Sequence, residues 1–367
     1  MNNQAPNTKM TNIKKAIDRV YSLVSPLFTH PKKHFKTWLV IVGVLVASWA
    51  VVFFLRSPEP TQASWWNETW LYRRAIQISN DNGEDLEDFQ VAITLDTAAL
   101  IAAGKMQDDC DDLRITDNSG NIIPHWIEEN NPGCNNASTK IWTKVPAVFN
   151  GANATTVYVY YGNAQAGNGE NGNNVFEFFN DFNGNEINTN KWDIVDPIGF
   201  SVDSGELRGT NNTGRIKSIS TFSGPIVQEL KARTVTVASN GQTIGGFWNS
   251  SSDGFSFLNH PSTDYIRNNS SWSALSGERV PRSNVPYSIS FVATASSVIL
   301  TTTNLNTGAQ IYQNTFTNTV SNESIMLGKR ADNNTYGPRR TLFRTLPPVD
   351  SQIDACLPRD IRNQRNS

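Results

Sequence analysis

Histidine is scarce in this 367-residue chain, and the shortage excludes one class of site. The sequence has four histidines, and after residue 36 only His125 and His260 remain. A histidine-based metal site needs several such ligands close together, so none is expected. The chain also lacks a G-x-S-x-G nucleophile elbow and a glycine-rich phosphate-binding loop. This excludes the enzymes and nucleotide-binding proteins that depend on those motifs.

An excess of positive charge is also missing. The chain has 31 Lys and Arg against 33 Asp and Glu, for a net charge of -2. Nucleic-acid binding depends on clustered Lys and Arg that contact the phosphates. The near-neutral balance therefore argues against nucleic acid as a partner.

Long apolar runs are absent except for one, residues 37–55, TWLVIVGVLVASWAVVFFL. As a helix rising about 1.5 Å per residue, it comes close to the roughly 30 Å hydrocarbon core of a bilayer. We predict a transmembrane helix, with a buried helix of a soluble domain as the alternative. Residues 1–36 form a basic leader, and the positive-inside rule places that leader in the cytoplasm. The flanking positive charges nearest the run are Lys32, Lys33, Lys36 and Arg56.

Two fates of the apolar helix stay open at this point. It could be retained as a single-pass membrane anchor, or the chain could be cleaved after Ala63, where small residues precede Ser64. The first fate gives a membrane-anchored protein and the second a secreted one. Both place the rest of the chain outside the cytoplasm.

The remaining sequence reads as short strands separated by Asn, Gly and Ser turns. We predict an all-β protein with two antiparallel β-sandwich, jelly-roll-like domains, at residues 64–165 and 175–345. Residues 166–174 are rich in Gly and Asn and are predicted to be a flexible linker. Residues 346–367 are polar and are predicted to be a disordered tail.

The first domain carries a series of ordered landmarks. They are WW-x3-W-x-YRR, D-C-x-D-L-R-I-x-D, P-x-W-I-E, I-W-T-K-V-P and V-Y-V-Y-Y-G-N. Over residues 65–163 this series resembles the DUF2341 family, a β-rich domain of unknown function on exported bacterial and archaeal surface proteins. The resemblance implies location and architecture, because the family has no established activity.

The second domain is similar to a concanavalin A-like lectin/glucanase (laminin G-like) domain. The features that carry this are NDF-x-G at 180–184, KW at 191–192 and the G-E-L turn at 205–207. Such proteins usually close with a Trp-containing strand, W-D-W-I-R-V-R. Here the corresponding place reads YGPRRTLFRTLPPVDSQ, and the missing tryptophans put the last strand in question.

The resemblance bears on catalysis. A retaining glycosidase needs two carboxyl groups about 5–5.5 Å apart, and glucanases of this fold usually carry them alternately on one strand, as E-x-D-x-x-E. No such run is present, and Glu206 and Glu229 stand alone in the sequence. We therefore expect no catalytic residues and no enzymatic activity, with a glycoside hydrolase as the alternative.

Binding is the function that the sequence favours. Sandwiches that hold sugars present Trp or Tyr rings with Asn and Asp groups nearby. The chain is therefore predicted to be a surface protein that binds a glycan or another partner. The alternatives are a structural component of the cell envelope, and core packing for the two tryptophans. The candidate ligand-binding residues are Trp248, Asn249, Asp253, Asp264, Tyr265 and Trp272.

Cysteine and aspartate complete the candidates. Cys110 and Cys134 are expected to pair in an exported chain, in a bond worth about 3 kcal/mol, although two unpaired thiols remain the alternative. Cys356 has no evident partner. The acidic stretch at residues 108–112 is a candidate calcium site, with a solvated acidic turn as the alternative. No other cofactor is expected. The carboxylates of the acidic stretch are Asp108, Asp109, Asp111 and Asp112.

Overall fold

A computed structural model describes Ser22 and residues 65–362. The gaps in that range are 130–132, 197–199, 204, 210–214, 235–241, 250–253, 278, 283, 329–335, 346–352 and 357–359. The apolar run 37–55 and the leader around it lie outside the described residues. Within the described residues, no helix is both long and apolar enough to span a bilayer.

The first module, residues 65–161, is built from seven strands and one helix. The strands are β1 (Tyr72–Asn80), β2 (Leu86–Leu95), β3 (Arg114–Thr116), β4 (Ile122–Ile123), β5 (His125–Ile127), β6 (Thr139–Val148) and β7 (Gly151–Tyr161). Helix α1 (Thr97–Ala102) begins where the side chain of Asp96 accepts a hydrogen bond from the Ala99 amide. Side chains alternate along β1, so that Ile76 and Ile78 are fully buried while Gln77 is exposed.

Two further strands from the chain's C-terminal end join this module. They are β23 (Ile353–Cys356) and β24 (Asp360–Arg362), and both pair antiparallel with β1. Sheet 1 therefore has the order β23-β1-β7-β3-β4, with β24 also beside β1, and sheet 2 has the order β2-β6-β5. The prediction of a disordered tail over 346–367 is wrong for these two segments, because the edge of β1 supplies hydrogen-bonding partners that a local pattern cannot reveal.

The second module contains fifteen of the strands that the structure describes. They are β8 (Phe178–Asn180), β9 (Trp192–Asp196), β10 (Phe200–Asp203), β11 (Glu206–Gly209), β12 (Arg215–Phe222), β13 (Ile226–Thr234), β14 (Gln242–Trp248), β15 (Gly254–Asn259), β16 (Tyr265–Asn268), β17 (Ser271–Ala274), β18 (Pro286–Ala293), β19 (Ser297–Asn304), β20 (Gln310–Thr317), β21 (Glu323–Gly328) and β22 (Tyr336–Thr345).

These strands form two antiparallel sheets around one aromatic-rich core. Sheet 3 has the order β10-β11-β22-β13-β18-β19-β20, with β8 also beside β22, and sheet 4 has the order β17-β16-β15-β14-β21-β12-β9. Phe247, Phe255 and Phe291 are fully buried between them. The all-β class and the antiparallel sheets are confirmed. The closing strand, which the missing tryptophans put in question, is present as β22 and pairs with β13 along its length.

The Gly- and Asn-rich connector is fixed in place, contrary to the flexible linker that its composition predicts. Arg114 donates to the Gly167 carbonyl oxygen at 2.6 Å, and the Ile127 amide donates to a Glu170 carboxylate oxygen at 2.7 Å. Residues Gly172–Val175 then form the short helix α2. The connector is held because the Arg114 side chain and the Ile127 backbone amide of the first module bind it. Residues 63–367 accordingly form one compact unit.

An aromatic cluster continues from the connector across the junction between the modules. Trp126 and Trp142 of sheet 2 pack edge-to-face against Phe176, and Trp126 also contacts Phe179. These contacts bury the start of the second module against the first. The cluster therefore joins two domains that the sequence treats as separate.

The predicted disulfide is confirmed in the first module. The Cys110 and Cys134 sulfur atoms are bonded at 2.01 Å. Cys110 is buried in the core and Cys134 packs against it. The bond therefore ties the loop after α1 to the segment before β6.

Candidate functional site

The outer face of sheet 4 brings together three of the predicted ligand-binding residues. Trp248 lies on β14, Tyr265 on β16 and Trp272 on the edge strand β17. Their side chains point away from the core, because the residues that alternate with them, Phe247 and Ile266, are fully buried in it. The structure therefore brings three of the candidate ligand-binding residues to one face of sheet 4, and their role in ligand binding stays a prediction.

A single row of residues crosses all seven strands on that face. Directly paired residues in antiparallel strands point to the same side of a sheet, so the register defines the row without gaps. From one edge to the other it reads Trp272, Arg267, Ser256, Gly246, Met326, Lys217 and Asp193. With about 4.8 Å between strands, this row is roughly 29 Å long.

Cationic side chains cover the aromatic rings beside this row. The Arg267 guanidinium carbon lies 5.7 Å from the centre of the Trp272 ring. The Lys217 ammonium nitrogen lies 5.5 Å from the Trp248 ring, and the Arg215 guanidinium carbon lies 5.9 Å from it. Each pair is within the range of a cation–π contact. The rings are thereby held in fixed positions on the sheet surface.

Gly246 contributes no side chain to the middle of the row. Its φ is +152°, and a Cβ atom built on it would lie 2.1 Å from the Phe255 carbonyl oxygen. A side chain therefore cannot be added there without moving the backbone. Ser256, Gly246 and Met326 in the middle of the row are buried, so the exposed parts of the row are its two ends.

The row ends in a shallow cavity of about 480 Å³ at the edge strand β9. An ion pair lies at its mouth, with 3.5 Å between the Lys217 nitrogen and an Asp193 oxygen. Ile194 and Ile219 add exposed apolar surface. The lining residues are Thr189, Trp192, Asp193, Ile194, Lys217, Ser218 and Ile219.

The residues of β9 and β12 on this face were not among the candidates predicted from the sequence. Arg215, Lys217 and Asp193 are polar residues on short strands, and nothing nearby in the sequence links them to Trp248. The sequence contained one indication of them. In R-I-K on β12, two cationic residues flank Ile216, which is buried, so the two cations share the opposite face of the strand. The register between β12 and β21 is what brings the two cations beside the tryptophan.

The other predicted ligand-binding residues are placed differently. Asp264 is buried, and its carboxylate accepts from Arg282 at 2.5 Å and from the Val280 amide at 3.0 Å. Burial raises the pKa of Asp264, and the charge of Arg282 opposes that rise. The structure therefore does not bring Asp264 to the outer face. Asn249 is exposed at the end of β14, and Asp253 lies outside the described residues.

The acidic stretch beside the disulfide is occupied by backbone donors. Asp112 is fully buried, and its two carboxylate oxygens accept from the Gly162 amide at 2.6 Å and the Gln107 amide at 3.1 Å. Asp109 accepts from the Asp111 amide at 3.0 Å. In the part of the chain that the structure describes, no three acidic, His or Cys side chains are grouped as a metal site would require. Calcium binding at Asp108 to Asp112 stays a prediction.

Sequence comparison matches one part of the chain to a family. The model described as "Domain of unknown function (DUF2341)" matches residues 109–195. The match starts later than the resemblance over 65–163 and continues through the connector into β9. It thus includes the disulfide and the aromatic cluster at the junction. No curated protein matches the sequence.

Several solved structures resemble the chain at low similarity. A GH43 protein from Bacillus licheniformis has 10% identity and a TM-score of 0.40, over 60% of this chain and 46% of that one. A β-1,3-1,4-glucanase (lichenase) derived from a mouse hindgut metagenome has 11% identity and a TM-score of 0.36, over 46% and 99%. A β-1,3-glucanase from Mycobacterium marinum has 10% identity and a TM-score of 0.35, over 46% and 98%.

These comparisons correct the prediction of a non-enzyme. Glycoside hydrolases are among the structures that the chain resembles, and the prediction that it is not an enzyme is withdrawn. Two carboxylates can be paired across neighbouring strands of a sheet as well as along one strand. Asp203 and Glu206 show this, because they are register partners and both form ion pairs with Arg208.

Proposed function

We propose that this chain is a carbohydrate-recognising β-sandwich protein whose ligand lies along the row on the outer face of sheet 4. The observation that carries the proposal is the unbroken cross-strand row from Trp272 to Asp193. Aromatic rings offer flat apolar surface to the C–H faces of sugars, and charged or amide groups bind their hydroxyls. The row supplies the ring of Trp272 and the charged groups of Arg267, Lys217 and Asp193, and the Trp248 ring lies beside Lys217.

The length of the row favours a polymer over a single sugar. The two exposed ends of the row lie roughly 29 Å apart, which exceeds what one sugar ring can cover, and one end opens into the cavity at β9. Ser256, Gly246 and Met326 are buried between them, so that a ligand would contact the row at Trp272 and at the Lys217–Asp193 pair. We therefore infer a polysaccharide or long oligosaccharide as the ligand.

A location outside the cytoplasm belongs to the same proposal. The disulfide between Cys110 and Cys134 supports it, because such bonds persist in oxidising compartments. The apolar run 37–55 would then anchor the chain, unless cleavage after Ala63 releases it. Mass spectrometry of the native mature N-terminus distinguishes these two fates.

Retention on a panel of immobilised polysaccharides tests the ligand-binding proposal. We expect the full chain to be retained on at least one of them. Trp272→Ala should weaken retention at least tenfold, because it removes a partly exposed ring at the open end of the row. Phe149→Ala is the matched control, since Phe149 is an exposed aromatic residue of the first module. A chain that binds no polysaccharide and fractionates only with envelope assemblies would contradict the proposal.

The same panel measures turnover. Soluble products released from a retained polysaccharide would identify a glycoside hydrolase. Asp193 is the carboxylate to change first, because it lies on the row and lines the cavity. If product is released there, Asp193→Asn should abolish release while the polysaccharide is still retained.

A further inference from the structure

One end of sheet 3 is built from an uncharged part of the sequence. Residues 283–322 contain no Asp, Glu, Lys, Arg or His, in a chain with 17% charged residues. This stretch includes β18, β19 and β20, which are consecutive in the sheet order. The outer face of these strands carries mainly Ser, Thr and Gln.

Strand β20 is the last in that order, so one of its edges is open among the described strands. Successive backbone groups of an antiparallel edge strand alternate between the neighbouring strand and the solvent side. Gln313, Asn314 and Thr315 are exposed in its middle. Near its end, the Thr317 carbonyl oxygen accepts from the Asn268 side chain at 3.1 Å, which ties that end to sheet 4.

An open edge of this kind is normally protected. Proteins place lysines, prolines or bulges on edge strands, because an unprotected edge is a template for pairing with another chain. Strand β20 has eight residues with no proline and no charge, and its bulge lies near its start, at Ile311, so that residues 312–317 form a regular edge. Tyr312 and Phe316 are only partly buried, so the apolar core also reaches the surface there.

We propose that β20 pairs antiparallel with β20 of a second copy of this chain, so that sheet 3 continues across a two-fold axis. In a two-fold strand pair the residue at the axis faces its own copy, and each residue beside it faces another residue of the same strand, so that charges of one sign on the strand would repel. The uncharged stretch removes that repulsion. Gln313 and Asn314 each carry both a donor and an acceptor in one side chain, so whichever of them lies at the axis can pair with its own copy.

This dimer is independent of the glycan-binding proposal, because β20 belongs to sheet 3 and the row belongs to sheet 4. Sedimentation equilibrium of the detergent-solubilised full chain over a range of concentrations measures it. We expect a reversible dimer for the natural sequence. Gln313→Lys should raise the dimer dissociation constant at least tenfold. Ser201→Lys, an exposed polar position on the opposite edge strand β10, should leave it unchanged.

Cross-linking locates the contact. In a Cys356→Ser background, Gln313→Cys or Asn314→Cys should give a disulfide-linked dimer on oxidation, and Ser201→Cys should not. Two results would overturn the proposal. One is a chain that stays monomeric at every concentration. The other is a dimer that neither weakens with Gln313→Lys nor forms a cross-link at 313 or 314.

Discussion

Lys231 is a buried cation at the junction of the two modules, and its partner comes from the other one. Its nitrogen lies 2.8 Å from a Glu128 oxygen, and both side chains are less than a tenth exposed. Glu128 also accepts from the Trp142 indole N–H at 2.9 Å. Removing one member of a buried ion pair leaves an uncompensated charge, which costs far more than breaking an exposed pair.

We expect Lys231→Met to lower the free energy of unfolding by about 3 kcal/mol, because it leaves the buried Glu128 carboxylate with only the partly exposed Lys140 ammonium group, 3.6 Å away, as a cationic partner. Lys217→Met is the control, since its partner Asp193 is mostly exposed, and it should cost less than about 1 kcal/mol. Urea denaturation of both variants measures the difference. If both variants lost the same free energy of unfolding, the buried pair would contribute no more to stability than the exposed pair, which would contradict this expectation.

Glu170 gives the connector a pH dependence. Burial raises the pKa of Glu170 to about 7, while the hydrogen bond from the Ile127 amide opposes the rise and the charges of Glu129 and Asp111 add to it. The folded state therefore binds this proton more tightly than the unfolded state does. The contribution of Glu170 to stability is complete below about pH 4.5 and is lost as the pH rises through about 7.

Glu170→Gln should remove that loss, so that above pH 7 the variant is more stable than the natural chain by about 2 kcal/mol. His125 has the opposite dependence, because burial lowers its pKa to about 3. The difference between variant and natural chain isolates Glu170, and chemical denaturation between pH 4 and 8 measures it. Glu177→Gln, at an exposed position, is the control. A difference that does not grow with pH would contradict the assignment.

Single residues were predicted from the sequence where residue type alone was informative. Trp248, Tyr265 and Trp272 could be proposed as surface aromatic residues, and Cys110 as a disulfide partner. Asp264 could not be placed, because its burial depends on Arg282, which lies elsewhere in the sequence. The burial of an ionisable group is set by what packs on it, and sequence spacing does not contain that information.

Among the elements, helix α2 shows how tightly the connector fits. Gly172 opens the helix, and a Cβ atom built there would lie 2.5 Å from the Phe179 ring. Gly167, in the same connector, has nothing within 4 Å of such an atom. We expect Gly172→Ala to destabilise the chain by about 1–3 kcal/mol, because the ring or the helix must move.

Gly167→Ala should be close to neutral and serves as the matched control. Thermal unfolding and limited proteolysis of the connector measure both variants. The lower conformational entropy that alanine gives the unfolded chain would by itself favour both substitutions. Equal stability of the two variants would therefore indicate that the connector has no close packing against Phe179.

Strands were predictable where the pattern was local, and connections were not. β18 alternates strictly between buried and partly exposed residues, which the sequence shows directly. β22 could not be predicted with the same ease, because its pattern is irregular and its partners β13, β11 and β8 come from distant sequence. The connector was predicted to be flexible from its composition, whereas hydrogen bonds from Arg114 and Ile127 of the first module fix it.

For the whole molecule, the junction predicts cooperative unfolding. The aromatic cluster, the Glu128–Lys231 pair and the ordered connector all join the modules, and β23 and β24 return from the second to the first. We expect one calorimetric transition for residues 63–367, with the van't Hoff and calorimetric enthalpies equal. Two separate transitions would show that the modules unfold independently.

Affinity electrophoresis in a gel that contains a retained polysaccharide tests the glycan-binding surface most directly. The natural chain, Trp272→Ala and Phe149→Ala would be run side by side, with a polysaccharide-free gel as reference. We predict that the polysaccharide slows the natural chain and Phe149→Ala equally and leaves Trp272→Ala almost unaffected. Equal retardation of all three chains would contradict the assignment of the outer face of sheet 4 as the binding surface.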